Sequence, residues 1–569
     1  MIIITLGCLL TILVCFSIGT GFVDLYGKVT GRTEAYSFIE TLLIGLCVTG
    51  SIVCISSIWL PSGTQLAIVL AILSVFYIAI FKLNNIVSQV RRLKKKITVF
   101  QSVLISGALL MLFLFTLVPP QFPDVYIYHI QNIMWNEGYS VVPGLANIEE
   151  RFGFNSNMFL LSSLFGFRPL TGEFIYIVNA LCTFLVLVYI IRHVAIRKSY
   201  VFALFSLIYV IFFMIYKTHI GCSSTDLLPN LFIIFILYLV LSDPGKIEDK
   251  SLLFLLLPLY CVTLKVSSIF ICLIPLYLFI VFFRKKDIRT TVFIITSAIL
   301  IILPWLVRNV IISGYLIHPY PAVDLFSFDW KLPVQYAIES NEYVKAFAIT
   351  MDVWGTSTRA ILDLPISDKI SLWIMEKHPL DVSILIVGLL SIVAMVLLTL
   401  CKRQLIKEKP ELFLVWIVGL CGFMFLLLTA PAIRFGFGFV AIVFAMPFFL
   451  FFDNRKIIPT SASINRFIIT IVFLYLSVLS VRYFLSIKED SQTYLNLAYK
   501  PQGIKSHLAK YPVKKDIFYI NEVSFTKVKK GNCGNLALPC GYCLDEIDMR
   551  GTSLQEGFRT RKPHNLSLP

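Results

Sequence analysis

The chain has 569 residues, 58% hydrophobic and 14% charged, with a formal net charge of +16 and a mean hydropathy of +0.84. A soluble domain carries about 25% charged residues, so these figures exclude a water-soluble globule. The positive balance does not point to nucleic acid, because the lysines and arginines sit in short stretches between apolar runs, as in cytoplasm-facing loops.

The N-terminal stretch "MIIITLGCLLTILVCFSIGTGF" has no basic n-region and no small-residue cleavage site, so it is read as a retained first span. Apolar runs long enough to cross ~30 Å of hydrocarbon follow along nearly the whole chain. They predict an all-α polytopic membrane protein of about fourteen spans, near 2–21, 38–60, 66–82, 98–118, 172–191, 200–216, 227–242, 252–265, 267–283, 290–312, 382–400, 412–429, 437–452 and 467–485. Basic stretches at 91–96, 192–198, 284–289, 401–409 and 454–456 are placed inside. Read as one helix, 252–283 would put 284–289 outside; two short spans turning at Lys265 keep every basic stretch inside. The outer face then collects 119–170, 217–226, Lys265, 313–381, 430–436 and the tail from 486.

Several polar residues lie at those outer ends. After the uncharged run 98–118 the chain breaks at Pro119, Pro120 and Pro123, and Asp124, Tyr126, Tyr128 and His129 follow at once. Asp226 opens another span, where it also suits a helix N-terminus. Lys265 interrupts a long apolar run, and an ionisable group at membrane depth costs ~3 kcal/mol on insertion scales, so a functional role is the default; snorkelling at a span end is the plainer alternative. Arg308 and Asn309 lie about one turn from the outer end of their span, and Arg434 occupies a very short outer turn. Two carboxylates and three cations on one face suit a general base beside a phosphate clamp, and hence a phosphate-bearing lipid.

"DVYIYHIQNIMW", "TDLLPNLFIIFILYL", "LKVSSIFICLIPL" and "PWLVRNVIISGYLIHPYP", spread in this order over 119–321, resemble elements of the bacterial GT-C membrane glycosyltransferases. The tail stretches "CGNLALPCGYC" and "MRGTSLQEGF" look like those of a poorly characterised bacterial group with this core. The resemblance implies a GT-C-like core, 98–485, preceded by additional helices, 1–97, and followed by an outer C-terminal unit, 486–569. It implies sugar transfer from a polyprenyl-phosphate-linked donor to a glycan or lipid acceptor on the outer face of the bacterial cytoplasmic membrane. Asp124 would activate or position the acceptor hydroxyl. Arg308, with Lys265 and Arg434, would hold the donor phosphate, and Tyr128, His129, Asp226, Asn309 and Tyr320 would line the substrate site. Val125 follows Asp124, so a two-carboxylate metal site in this motif is not supported; no cofactor is assigned, and a divalent metal stays open. A glycan polymerase or ligase, or a transporter of lipid-linked glycans, are the competing readings. No P-loop and no evident internal repeat support an ATP-driven pump or a repeat-built transporter.

Residues 139–157 carry Glu149, Glu150, Arg151, Asn155 and Asn157, read either as sugar-holding groups beside Asp124 or as an amphipathic interface helix. Residues 318–380 are placed as a cap. In the tail, "DIFYINEV" reads as a strand. All cysteines but Cys533, Cys540 and Cys543 lie in or beside apolar segments. Three cysteines with a distant His564 fall short of a compact zinc site. An oxidising compartment favours a disulfide; spacing does not fix which pair forms, and Cys533 with Cys540 is the expected one.

Overall fold

The computed structural model describes residues 2–83, 97–194, 198–243, 245–350, 353, 357–401, 409–453, 461–486, 513–542 and 544–561. The basic stretches 91–96 and 454–456 lie outside these residues, as do parts of 192–198 and 401–409, Cys543 and His564. Among the described residues, ten helices are long and apolar enough to cross a membrane. They are α1 (Ile2–Thr30), α2 (Phe38–Ser56), α3 (Thr64–Lys82), α4 (Val99–Leu117), α8 (Ser199–Ile220), α11 (Val266–Arg284), α12 (Ile288–Ser313), α15 (Pro379–Cys401), α16 (Pro410–Thr429) and α18 (Ala462–Ser486). Four shorter apolar helices stand with them: α7 (Val178–Arg192), α9 (Leu227–Ser242), α10 (Ser251–Leu264) and α17 (Phe437–Phe452). The protein is a multi-pass helical membrane protein.

The helix ends follow local chemistry. Ser37 and Glu40 form a capping box on α2, and Thr98 and Gln101 form one on α4, each satisfying two backbone donors that a helix start leaves open. Asp287 caps α12 by accepting from Thr290 N at 3.1 Å. The segment 172–177 is irregular, so α7 starts at Val178 and is shorter than the span read from sequence. Lys265 breaks the run 252–283 as expected: α10 stops at Leu264, Lys265 is extended (φ −157°, ψ 124°), and α11 begins as a 3₁₀ turn.

α9 is buried along its whole length from Leu227 to Leu241, so a helix apolar all round sits at the centre of the bundle. α3, α15 and α18 instead expose apolar stripes, such as Phe81, Leu400 and Phe467, which hydrocarbon covers in a membrane. One hydrophobic core holds residues from both sides of position 97: Leu43, Ile44 and Cys47 of α2 pack with Leu160, Ile234 and Tyr260.

At one end of the bundle lie the 30–34 turn, 248–250 and the basic stretch 284–289, tied by Arg32–Glu34 (3.2 Å), Arg32–Asp287 (3.9 Å), Lys285–Glu248 and Lys250–Glu40. At the other end lie α5 (Ile130–Gly138), α6 (Asn157–Leu164), α13 (Val334–Ile349) and α14 (Ile366–Glu376). The tail docks there too. Its strands β1 (Lys514–Ile520), β2 (Val523–Lys530) and β3 (Cys540–Gly541) form one sheet, β1 and β2 antiparallel; β4 (Ile547–Met549) pairs with β5 (Phe558–Thr560). Asn521 and Glu522, both at positive φ, turn β1 into β2, so the stretch read as one strand ends at Ile520. Cys533 and Cys540 are joined by a disulfide.

Candidate active site

The prolines after α4 leave no helical hydrogen bonds to continue it. The chain turns back through Val118–Pro123 and re-enters a helix as a single π turn, Val125–His129, with Asp124 at its cap. π turns are rare and recur at functional sites. The Tyr126 hydroxyl donates to Pro120 O at 2.8 Å and fixes this re-entry. Asp124 opens onto a cavity of about 410 Å³ at the end of the bundle that carries the tail. Among the described residues no hydrogen bond or ion pair engages its carboxylate. Burial pushes the carboxyl above the usual range; Arg434 opposes this and Asp226 adds to it.

Lys265 and Arg434 reach the same cavity from different elements. Lys265 sits at the α10–α11 break, ion-paired to Asp226, its Nζ 3.9 Å from the centroid of the Phe435 ring. Arg434, in the short turn between α16 and α17, has Nε 3.8 Å from Asp226 Oδ2 and lies over Phe122, Phe347 and Phe435. Its backbone is pinned by Tyr216, whose hydroxyl donates to Arg434 O at 2.6 Å. Asp226 does not line the cavity; it lies behind the two cations and joins them. Burial alone would raise its carboxyl, but Lys265 and then Arg434 outweigh it and hold it below the usual range.

Tyr128, Asn309 and Tyr320 line the cavity. His129 does not. It is buried beneath the turn, its Nδ1 3.2 Å from Ser223 Oγ and its ring 4.9 Å from Phe159, and burial drops its pKa to about 3, so it is a neutral packing group. Arg308 also differs from the expectation. It is fully buried away from the cavity, with Nε donating to Asn155 Oδ1 (3.2 Å), Nη1 to Ser57 Oγ (2.6 Å) and Nη2 to Asn136 Oδ1 (2.8 Å). Its fork joins three segments and is not presented to a phosphate.

Arg151 and Lys345 also line the cavity, and Arg151 lies beside Glu149 (3.6 Å) and Glu150 (3.7 Å) and over the Tyr343 ring at 5.6 Å. The stretch 139–157 is not an amphipathic helix: it holds two short 3₁₀ turns, Leu145–Asn147 and Glu150–Gly153. Trp305, His318, Tyr343 and Phe154 add aromatic walls. Tyr343 was not anticipated; its helix α13 has no motif, and only the general placement of 318–380 as a cap signals it. One apolar stretch of wall comes from the end of a spanning helix: Phe425, Leu426 and Leu428 of α16, with Leu428 79% exposed. Among the described residues no group of three His, Cys, Asp or Glu side chains is placed to hold a metal ion.

The fold and site define a multi-pass membrane protein with a charged, aromatic cavity at one end of its helices. The chain belongs to the family described as Domain of unknown function (DUF8201), which matches residues 1–441. That match takes in every residue lining the cavity. No curated protein and no solved structure matches the chain.

Proposed function

We propose that this protein is a GT-C-type glycosyltransferase that moves a sugar from a polyprenyl-phosphate-linked donor to a glycan or lipid acceptor on the outer face of the bacterial cytoplasmic membrane. In this reading α7, α9, α10 and α17 also cross the membrane, giving fourteen spans. The carrying observation is the unengaged Asp124 carboxylate sharing one cavity with Lys265 and Arg434. Asp124 takes the proton from the acceptor hydroxyl. The hydroxyl oxygen bonds to the anomeric carbon of the donor, and the anomeric carbon–oxygen bond to phosphate breaks with its electron pair going to phosphate. Lys265 and Arg434 hold the leaving phosphate as its charge develops. The apolar wall ending at the exposed Leu428 suits the first isoprene units, and the aromatic walls suit sugar faces. The charged groups of the cavity lie at helix ends, which favours surface chemistry over transport, for which polar groups near mid-span are expected.

The test is transfer by purified protein in liposomes loaded with a polyprenyl-phosphate sugar. Labelled sugar should appear on an added glycan or lipid acceptor, and Asp124→Asn should abolish most of it. Movement of the lipid-linked sugar between leaflets with no transfer would favour the transporter reading instead.

A further inference from the structure

The tail lines no part of the cavity, yet it holds the segment that presents Asp124. Pro119, Pro120 and Pro123 lack N–H donors, so the approach to Asp124 has few backbone bonds of its own. Those present are short-range: Val125 N to Phe122 O (3.2 Å) and Tyr126 N to Pro123 O (3.0 Å). Beside these, the Tyr126–Pro120 bond (2.8 Å) and the His129–Ser223 contact (3.2 Å), the segment has anchors from residues 533–540, some four hundred positions away. Gly534 N donates to Tyr126 O at 3.0 Å. Gln131 Nε2 donates to Gly534 O and to Leu536 O, each at 2.9 Å. Leu538 packs on the cluster of Phe122, Val125 and Tyr126. The Cys533–Cys540 disulfide closes this loop.

We infer that the disulfide-closed loop 533–540 is a positioning element for Asp124, and that full turnover requires the Cys533–Cys540 bond. The inference rests on the proposed transferase activity. Oxidation removes two protons and two electrons from the two thiols and passes them to a disulfide-bearing oxidant, which leaves as a dithiol while the new S–S bond forms. Reduction by an added dithiol reverses this. The rest of the tail has separate moorings: Phe558 N to Pro143 O (3.0 Å), Gln555 Nε2 to Ser140 Oγ (2.7 Å), Thr560 Oγ1 to Asn147 Oδ1 (2.7 Å) and Arg550 Nε to Asp329 Oδ2 (2.8 Å). Reduction therefore frees the loop while the tail stays docked. A displacement of about 1 Å in a reacting group costs on the order of 10²-fold in rate, so a small drift of the turn has a large effect.

The experiment uses the full-length protein, oxidised, reduced with dithiothreitol and reoxidised, with thiol labelling and mass spectrometry to confirm the state of Cys533 and Cys540. Reduction should lower kcat by on the order of 10- to 10²-fold with donor KM nearly unchanged, and reoxidation should restore it. Hydrogen exchange should rise at the amides of 124–131 and stay constant at 140–148. Gln131→Leu, which removes two of the bonds and leaves the disulfide, should lower kcat in the oxidised protein. A reduced protein with full kcat and unchanged exchange at 124–131 overturns the inference. A protein that transfers no sugar in either redox state sinks the transferase reading, and the exchange comparison then still decides whether the loop holds the turn.

Discussion

Arg308 Nη1 donates to Ser57 Oγ over 2.6 Å, joining α12 to the end of α2 across 251 positions of sequence. The other two arms of the same guanidinium reach Asn136 and Asn155 in the segment after Asp124. One side chain thus ties an N-terminal helix, the Asp124 loop and the cavity wall together.

Arg308 should therefore act on stability before binding. Arg308→Met leaves the amide oxygens of Asn136 and Asn155 buried and unpaired, at a cost of about 1–3 kcal/mol each. The variant should unfold at lower temperature in detergent, while surviving protein binds the donor with near wild-type affinity. Arg308→Lys should not restore stability, because one ammonium cannot reach three acceptors in a plane. Unchanged thermal stability with weakened donor binding would return Arg308 to the phosphate site.

Asp124 should set the acid limb of activity. A general base must be deprotonated, and burial raises the pKa of Asp124, so turnover should fall with decreasing pH at values above the ordinary carboxylate range. Asp124→Asn should lose about 10²–10⁴-fold in turnover and bind donor nearly as before. Near wild-type transfer by Asp124→Asn would end the general-base assignment.

Much of this was legible in the sequence, for identifiable reasons. Apolar length marks spans, and a lysine in a long apolar run marks the α10–α11 break, because hydrocarbon imposes both rules strictly. The shared end for Asp124, Lys265, Arg434, Asn309 and Tyr320 follows from loop parity. The fate of Arg308 does not. A position one turn from a helix end is the same whether the side chain faces a cavity or a neighbouring helix, and its partners at 57, 136 and 155 have no sequence signature. The role of Asp226 was hidden similarly: an aspartate at a helix start looks like a dipole partner until two cations are seen to share it. The tail grips Tyr126 and the Gln131 side chain through its own backbone atoms, which carry no sequence signal.

Asp226 should matter through Lys265. The helix-end reading expects Asp226→Asn to be nearly silent. The ion pair predicts otherwise. Burial lowers the Lys265 pKa, and Asp226 is the largest opposing influence. Removing that carboxylate lets the pKa fall further, so the ammonium is lost as pH rises. Donor binding to Asp226→Asn should weaken with increasing pH more steeply than in the wild type, and recover at low pH. Lys265→Met should weaken binding at every pH. Titrating affinity for a polyprenyl phosphate across pH tests both, and a wild-type pH profile for Asp226→Asn would leave the helix-end reading standing.

Glu149 should make stability depend on pH in the direction opposite to most carboxylates. Burial pushes its pKa up to about 8, the neighbouring Glu150 adds to the rise, and Arg151 opposes it. In the unfolded chain a glutamate titrates near 4.3. Between about 4.3 and 8 the folded state therefore holds a proton that the unfolded state has released, and stability falls as pH rises through that window, levelling above it. Glu149→Gln keeps the shape and removes the titration. Thermal unfolding in detergent across this range should show a shallower decline for Glu149→Gln than for the wild type. Glu150→Gln should lower the upper end of the window, since it removes the adjacent negative charge. Parallel wild-type and Glu149→Gln curves would mean that Arg151 keeps Glu149 ionised in the folded protein.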